Sequence, residues 1–219
     1  FSYKRHGIVE NILTITHPSV LINIRMKRFE TNNYFSEIAK IASGFIDSPE
    51  YKTVVDILLE CHRRGGIVFT MGCGGSASTA THFAADLAKT VSMKHGFKAI
   101  SLVDNIPLVS AWTNDAGWDS VFEGQLKSWL SFNDVLVGFS VHGGRADWSN
   151  NLTKAMKYAN KIGACTIGFA GFDGGAMKKM ADVCLVVPTD SEVYGTPLVE
   201  AMHVVINHSI IWDLKKEIK

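Results

Sequence analysis

The sequence predicts an α/β fold built on a parallel sheet that helices cover on both faces. Five short apolar runs, rich in β-branched residues, alternate with segments that show helical periodicity. The runs are nearly continuous in apolar character, as expected for strands that are buried on both faces. Glycine-rich turns follow the first, third and fourth runs. These turns would lie at the carboxyl edge of the sheet, where open α/β folds bind their ligands.

The elements can be assigned in chain order. The predicted strands are Ile67–Met71, Ala99–Val103, Asp134–Ser140, Cys165–Ala170 and Val183–Val187. The predicted helices cover residues 34–45, 49–64, 77–89, 105–114, 120–130, 149–162 and 196–216, with a short helix after residue 175. Ser48, Ser76 and Ser149 are expected to be helix N-caps, and Gly163 is expected just after a helix C-terminus. Ser19–Ile24 is compatible with a strand or with the start of a helix. We expect an N-terminal extension over residues 1–32 and one domain over residues 33–219.

Composition and charge narrow the classes of function. The chain has 219 residues, of which 47% are apolar and 20% charged, and its net charge is +1. This balance gives no reason to expect a nucleic-acid partner or an acidic membrane surface. No apolar run approaches the roughly 20 residues of a membrane span, and Lys4 and Arg5 lead into Glu10 without the apolar region of a secretion signal. The four cysteines are scattered, which favours free thiols and a cytoplasmic location.

The stretch from Ile67 to Leu87 combines a strand, a glycine-rich turn and a helix. The turn is Gly72-Cys73-Gly74-Gly75, and Ser76 follows it. Glycines allow close backbone approach to a ligand, and the free N–H groups at a helix start favour negative charge. Neither the dinucleotide pattern G-x-G-x-x-G nor the Lys-Ser/Thr pair of a nucleotide P-loop is present. The turn therefore indicates a site for a simple phosphate ester, with an ordinary tight turn as the alternative.

Two pairs of polar side chains are spaced for joint action on helices. His82 and Asp86 are four residues apart, so they share one helix face. A lone helical histidine is usually an ordinary polar residue, but the acidic partner and the anion turn favour a functional role here. Glu200 and His208 are separated by eight residues, about 12 Å along a helix, so a shared metal would have to lie between them. His203 is about 140° around the helix from His208, and we interpret it as a structural or intersubunit residue.

These residues resemble a known family. Gly72–Ser76 followed by His82–Leu87 is similar to the sugar isomerase (SIS) domain, in the phosphoheptose isomerase branch, which reads G-N-G-G-S and then H-F-A-x-E-L. Thr196-Pro197, Glu200 and the pair His203 and His208 resemble a C-terminal Gln-Glu-x-His run of that branch. Asn114-Asp115 and Phe169–Met180 also match its pattern. The resemblance covers residues 33–216.

The resemblance implies a three-layer α/β/α sandwich with a five-stranded parallel sheet, an N-terminal helical extension and a homotetramer. It implies an aldose–ketose isomerase that acts on a phosphorylated sugar, most directly sedoheptulose 7-phosphate, through an enediol. The family's divalent metal, commonly zinc, would be held by His82, Asp86, Glu200 and His208. Asp86 would be the catalytic base and His208 its acid/base partner. The substrate-binding residues would be Gly74, Gly75, Ser76, Asn114, Asp115, Ser140, His142, Arg145 and Glu200.

The chain departs from the branch at three places. Asp86 replaces a glutamate, and Glu200 replaces a glutamine. The phosphate loop S-T-S-G-N-S of the branch is replaced by residues 140–145, which lose two serines and gain the guanidinium of Arg145. These departures keep three alternatives open: a different sugar phosphate, a non-catalytic SIS module that binds a sugar phosphate or a protein, and a metal-free acid/base cluster.

Overall fold

A five-stranded parallel sheet forms the centre of the fold. The computed structural model describes residues 16–17, 20–21, 31–145, 148–191 and 194–218. The strands are β1 (Thr16–His17), β2 (Val20–Leu21), β3 (Ile67–Gly72), β4 (Lys98–Ser101), β5 (Val135–Phe139), β6 (Cys165–Gly171) and β7 (Val183–Val187). Strands β1 and β2 form an antiparallel pair, and the central sheet is ordered β4-β3-β5-β6-β7 with every neighbouring pair parallel. The five predicted sheet strands are confirmed. Of the ambiguous stretch Ser19–Ile24, β2 is extended and the rest lies outside the described residues.

Helices cover both faces of this sheet. They are α1 (Thr31–Gly44), α2 (Pro49–Arg63), α3 (Gly75–Ala85), α4 (Ile106–Ala116), α5 (Val121–Leu126), α6 (Asn150–Ile162), α7 (Met177–Met180) and α8 (Gly195–Glu217). A π-helical segment, Asp86–Thr90, continues α3, and a 3₁₀ turn, Trp118–Ser120, precedes α5. One apolar core joins α1, α2, α3 and α8 to the sheet, and a second core joins α4, α5, α6 and α7 to its other face. The predicted three-layer sandwich is confirmed.

Successive side chains along a strand point to opposite faces of the sheet, and they thereby fill both cores. Val137 and Phe139 of β5 point into the first core, whereas Leu136 between them points into the second. Phe139 packs on Phe169 of β6 with ring centroids 4.6 Å apart. All of these side chains are fully buried, and each such burial contributes about 1.5–3 kcal/mol. The packed centre holds the carboxyl ends of β3, β5 and β6 in fixed relative positions.

The helix ends confirm some predicted caps and correct others. Ser48 caps α2 by accepting a hydrogen bond from the Tyr51 N–H at 3.2 Å, and Gly163 ends α6 in the left-handed conformation. Ser149 occupies the N-cap position of α6, but its side chain makes no cap hydrogen bond. The prediction that Ser76 is an N-cap is wrong, because Gly74 takes that position with a φ of 60° and α3 begins at residue 75. Among the helices of the described residues, none has the length and apolarity needed to cross a bilayer.

His203 lies in the first core, which supports its interpretation as a structural residue. It is fully buried on α8, next to the rings of Phe139 and Phe169. Its Nε2 lies 3.3 Å from the carbonyl oxygen of Ala170, so the neutral ring donates to that carbonyl. Burial lowers the pKa of His203 to about 4, although the bond to the carbonyl opposes the shift. The fold therefore requires an uncharged imidazole at this position.

We expect the free energy of unfolding to decrease as the pH falls from about 6.5 towards 4. An unfolded histidine has a pKa of about 6.5, so in this interval the unfolded chain binds a proton that buried His203 does not. The stabilisation is complete above the unfolded pKa and is lost on approach to the folded one, by an amount on the order of 3 kcal/mol. Urea unfolding at pH 7.5 and at pH 4.5, both in the presence of chelator, measures this change in the free energy of unfolding.

The matched variants are His203→Gln, which keeps a donor for the Ala170 carbonyl, and His95→Gln, which removes an exposed imidazole. We expect the pH dependence of the free energy of unfolding to be smaller only in His203→Gln. A pH dependence in His203→Gln equal to that of the unmodified protein would contradict the assignment.

Candidate functional site

The turn after β3 brings backbone and side chains of distant elements together. Gly74 adopts a φ of 60°, which favours glycine, and the chain then enters α3. A Cβ atom built on Gly75 would lie 2.4 Å from Oε1 of Glu200. The absence of a side chain at Gly75 therefore lets α8 place a carboxylate directly against the start of α3.

His82 and Asp86 lie about two and three turns after Gly75, and His208 of α8 converges on them. Nε2 of His82 lies 3.3 Å from Oδ2 of Asp86, and Nε2 of His208 lies 3.7 Å from the same oxygen. The two Nε2 atoms are 3.4 Å apart. The side chains of His82 and His208 are 50% and 55% exposed, whereas that of Asp86 is 16% exposed. Two accessible imidazoles therefore flank one sheltered carboxylate.

These distances fit three ligands of one metal ion. Zinc bonds to nitrogen and oxygen are about 2.0–2.2 Å long, so two ligand atoms of a tetrahedral site lie about 3.3–3.6 Å apart. Within the described residues, His82, Asp86 and His208 form a group whose donor atoms lie within 4.8 Å of one another. Two histidines with one carboxylate are a common catalytic set that leaves the fourth position open. The residues present therefore fit a divalent metal.

Glu200, predicted as a fourth ligand, does not belong to this group of converging donors. Its carboxylate lies against Gly75 instead, about two turns before His208 on α8. The carboxylate thus faces the positive end of the α3 dipole. Its ligand role stays a prediction, whereas its contact with the glycine turn is a feature that the sequence did not reveal.

A π-helical segment begins at Asp86 and was not predicted from the sequence. The Val91 N–H donates to the carbonyl oxygen of Asp86 at 3.0 Å, a bond that spans five residues instead of four. Thr90, at the end of the segment, donates its hydroxyl to Oδ1 of Asp86 at 2.8 Å. Single π turns inside helices frequently occur at functional sites. The spacing of Thr90 and Asp86 was the one signal in the sequence for this contact.

Backbone hydrogen bonds join the loop after β5 to β6 and to the loop that follows β6. The Ser140 N–H donates to the carbonyl oxygen of Phe169 at 2.9 Å, and the side chain of Ser140 is nearly buried. The backbone N–H of Met177 donates to the carbonyl oxygen of Gly143, and that of Ala176 donates to the carbonyl oxygen of Gly144. Because β5 is the direct neighbour of β3 in the sheet, this loop and the glycine turn lie at the same sheet edge. The predicted phosphate loop is therefore placed beside the predicted anion turn.

His142 lies in an aromatic environment in this loop. Its ring stacks on Phe172 with a centroid distance of 4.4 Å and contacts Trp148 at 4.9 Å. Burial lowers the pKa of His142, the Arg145 guanidinium lowers it further, and Asp173 opposes the shift. The exposed Arg145 lies 5.8 Å from the centre of the Trp148 ring. Near neutral pH the loop thus offers a neutral imidazole and one cation.

Other predicted residues have less direct relations to the site. Asn114 and Asp115 lie near the end of α4 and are exposed, with Nδ2 of Asn114 donating to Oδ1 of Asp115 at 2.8 Å. The helix that carries them packs against the 3₁₀ turn and α5. Cys73 accepts a hydrogen bond from Nδ2 of Asn151 at 3.3 Å, and burial raises the pKa of its thiol. Cys73 therefore packs within the turn as a protonated thiol.

The model of one protein family matches this chain. The match covers residues 33–171, which include the glycine turn, the His82–Asp86 pair and the loop after β5, and the model is described as the SIS domain. The chain belongs to the SIS domain family. The predicted resemblance is confirmed.

Relatives of this SIS domain chain include proteins named phosphoheptose isomerase. Lincomycin biosynthesis protein LmbN of Streptomyces lincolnensis is 36% identical over 209 residues, which are 93% of this chain and 73% of the relative. Phosphoheptose isomerase of Aliarcobacter butzleri is 35% identical over 74% of this chain and 82% of its own length. The structure of phosphoheptose isomerase GmhA from Neisseria gonorrhoeae superposes with a TM-score of 0.75 at 27% identity, over 85% of this chain and 97% of that one.

Proposed function

We propose that this chain is a sugar-phosphate isomerase that interconverts an aldose and a ketose, with sedoheptulose 7-phosphate as the first substrate to test. The observation that carries the proposal is the convergence of His82, Asp86 and His208 along the helix that follows the glycine turn. Relatives named phosphoheptose isomerase support it. A cytoplasmic location remains a prediction.

The geometry supplies the groups that an enediol mechanism needs. Asp86 would remove the proton from one carbon of the C1–C2 pair and return it to the other, because its sheltered side chain is the carboxylate of the cluster. His208 would exchange protons with the two substrate oxygens, since its ring is half exposed and adjoins Asp86. The two groups are close enough to act on neighbouring atoms of one substrate.

His82, Asp86 and His208 would hold the divalent metal, for which zinc is the first candidate. When bound, a divalent cation polarises a carbonyl group and stabilises negative charge that develops on oxygen. Glu200 of α8, whose carboxylate lies against the start of α3, would bind either the metal or a substrate hydroxyl. The protein itself orients the sugar and moves its protons.

The phosphate end of the sugar would bind at the carboxyl edge of the sheet. Gly74, Gly75 and Ser76 would offer the N–H groups at the start of α3. Ser140, His142 and Arg145 would contact the phosphate from the loop after β5. Asn114 and Asp115 would reach the sugar hydroxyl groups. Fixing the phosphate places the reacting carbons at Asp86 and His208.

The test is an isomerase assay on the full chain with sedoheptulose 7-phosphate and a panel of other ketose phosphates. Each sugar is supplied with zinc, with manganese and with chelator, and formation of the aldose is measured. Dephosphorylated sugars form the control arm. Conversion of one phosphorylated sugar supports the proposal. Tight binding of a sugar phosphate without conversion would instead identify a non-catalytic binding module.

Arg145→Ala should raise KM strongly with little change in kcat. The guanidinium is the exposed cation of its loop and can bind a phosphate with two hydrogen bonds. Loss of such a bond to a charged group costs about 1.5–3 kcal/mol, or about 10–100-fold in KM. Steady-state kinetics measures the change. Lys127→Ala, which removes an exposed cation beyond α5, is the control, and an equal KM in Arg145→Ala would contradict the assignment.

Gly75→Ala should lower kcat/KM by about 10–100-fold, because displacements near 1 Å at a reacting centre have effects of that size. The new Cβ would overlap the Glu200 carboxylate, which must then move. Steady-state kinetics and a thermal melt measure activity and folding together. Gly44→Ala is the control, since a Cβ there meets nothing within 4 Å. Full activity in Gly75→Ala would show that the position of Glu200 is unimportant.

We also propose that the chain forms a homotetramer. Exposed apolar side chains on α1, its following turn and α8 support self-association, among them Phe35, Ile46, Val205 and Trp212. Light scattering at micromolar concentration measures the assembly, and a monomeric mass would contradict it.

A further inference from the structure

Thr90 gives the two oxygens of the Asp86 carboxylate different surroundings. Its hydroxyl donates to Oδ1 at 2.8 Å. The other oxygen, Oδ2, faces His82 at 3.3 Å and His208 at 3.7 Å. Thr90 therefore contacts the carboxylate from the side opposite to the imidazoles.

The carboxylate needs such a contact because its own torsion does not fix its plane. The terminal torsion of an aspartate is broad and roughly two-fold, so rotamer preference leaves the oxygens free to turn. A hydroxyl that donates to an ionised carboxylate forms a strong, charge-assisted bond. Threonine is also stiff at its first torsion. Thr90 is thus suited to hold Asp86 in one orientation.

The π-helical segment fixes Thr90 in turn. A helical threonine often donates to the carbonyl four residues earlier, which here is the Asp86 carbonyl, but the Thr90 hydroxyl donates to the Asp86 side chain instead. The Asp86 carbonyl accepts from the Val91 N–H. The chain that leads into β4 packs on the segment: the Phe97 N–H donates to the Leu87 carbonyl at 3.0 Å. A Cβ on Gly96 would lie 2.0 Å from the Ala88 carbonyl oxygen, which shows how closely the two stretches pack.

We propose that Thr90 is a positioning residue, whose hydroxyl holds the Asp86 carboxylate with Oδ2 directed at His82 and His208. It acts through Asp86 on two properties of the site, its affinity for a divalent metal and the proton transfer. The inference rests on the proposed function of this same site. It adds a residue that the family motif does not include.

The test compares Thr90→Val, which keeps the shape and removes the hydroxyl, with Thr90→Ser, which keeps the hydroxyl. Zinc affinity of the full chain is measured by competition with a colorimetric chelator. Loss of a partner that orients a metal ligand typically weakens affinity about 10–100-fold, and we expect this in Thr90→Val. Thr90→Ser should bind zinc nearly as tightly as the unmodified protein. In the isomerase assay, Thr90→Val should lower kcat and leave KM unchanged, because the phosphate contacts are intact.

Thr53→Val is the matched control, because Thr53 is an exposed helical threonine whose hydroxyl donates to the Pro49 carbonyl, within α2. It should leave zinc affinity and kcat unchanged. Equal zinc affinity and kcat in Thr90→Val and the unmodified protein would overturn the inference. So would a Thr90→Ser variant as impaired as Thr90→Val, since the hydroxyl would then not be the cause.

Failure of the proposed isomerase function can be distinguished from failure of the inference about Thr90. If the unmodified protein binds zinc but isomerises none of the sugar phosphates, the isomerase proposal is overturned while the zinc affinities still decide the role of Thr90. If it isomerises a sugar without metal, kcat of the two Thr90 variants decides it.

Discussion

Asp86→Asn should lower kcat of the aldose–ketose interconversion by about 10²–10⁴-fold, the range expected for loss of a general base. The amide has nearly the shape of the carboxylate and can still contact Thr90, but it cannot accept the substrate proton. Rates of aldose formation at saturating sugar phosphate measure the effect. A thermal melt checks that the variant stays folded.

Asp56→Asn is the matched control, because Asp56 is an exposed carboxylate of α2. It should keep the activity of the unmodified protein. A kcat for Asp86→Asn within a few-fold of the kcat of the unmodified protein would exclude Asp86 as the base. Glu200, whose carboxylate lies against the start of α3, would then be the next candidate.

His82→Ala and His208→Ala should each abolish stoichiometric metal binding, while the unmodified protein should hold close to one ion per chain. The three donors come from two helices, and a site with three protein ligands loses most of its affinity when one is removed. Two neutral imidazoles and one carboxylate leave a dication with a net charge of +1, which keeps it an effective Lewis acid. Elemental analysis of the purified proteins measures the metal content.

His95→Ala, which removes an exposed imidazole before β4, should retain the metal. Treatment with chelator should abolish activity, and added zinc should restore it. Full activity in chelator with no detectable metal would contradict this prediction. The cluster would then work as an acid/base group, in which neighbouring carboxylate and imidazole side chains set each other's protonation.

Local patterns in the sequence predicted the parts of the site that depend on neighbouring residues. The strands follow from continuous β-branched runs such as 183–187, whose observed bounds equal the predicted ones. The pairing of His82 with Asp86 follows from helical spacing alone. The addition of His208 came from the family resemblance, because a partner 126 positions away leaves no periodic signal.

Contacts that depend on tertiary packing could not be predicted. Ser76 is a good cap by residue type, but the backbone conformation of Gly74 starts the helix two residues earlier. The π-helical segment at Asp86 packs against the later chain around Phe97, whose N–H donates to the Leu87 carbonyl. The contact of Glu200 with Gly75 and the stacking of His142 on Phe172 join elements that are far apart in sequence.

The distribution of the site between α3 and α8 has a consequence for synthesis of the chain. All five strands of the central sheet precede α8, so the sheet can form on the ribosome before His208 has emerged. At about 5–20 residues per second, the 126 positions between His82 and His208 correspond to roughly 6–25 seconds of translation. Synthesis of His82 therefore precedes synthesis of His208 by this interval, and the proposed site is complete only when α8 docks on the sheet.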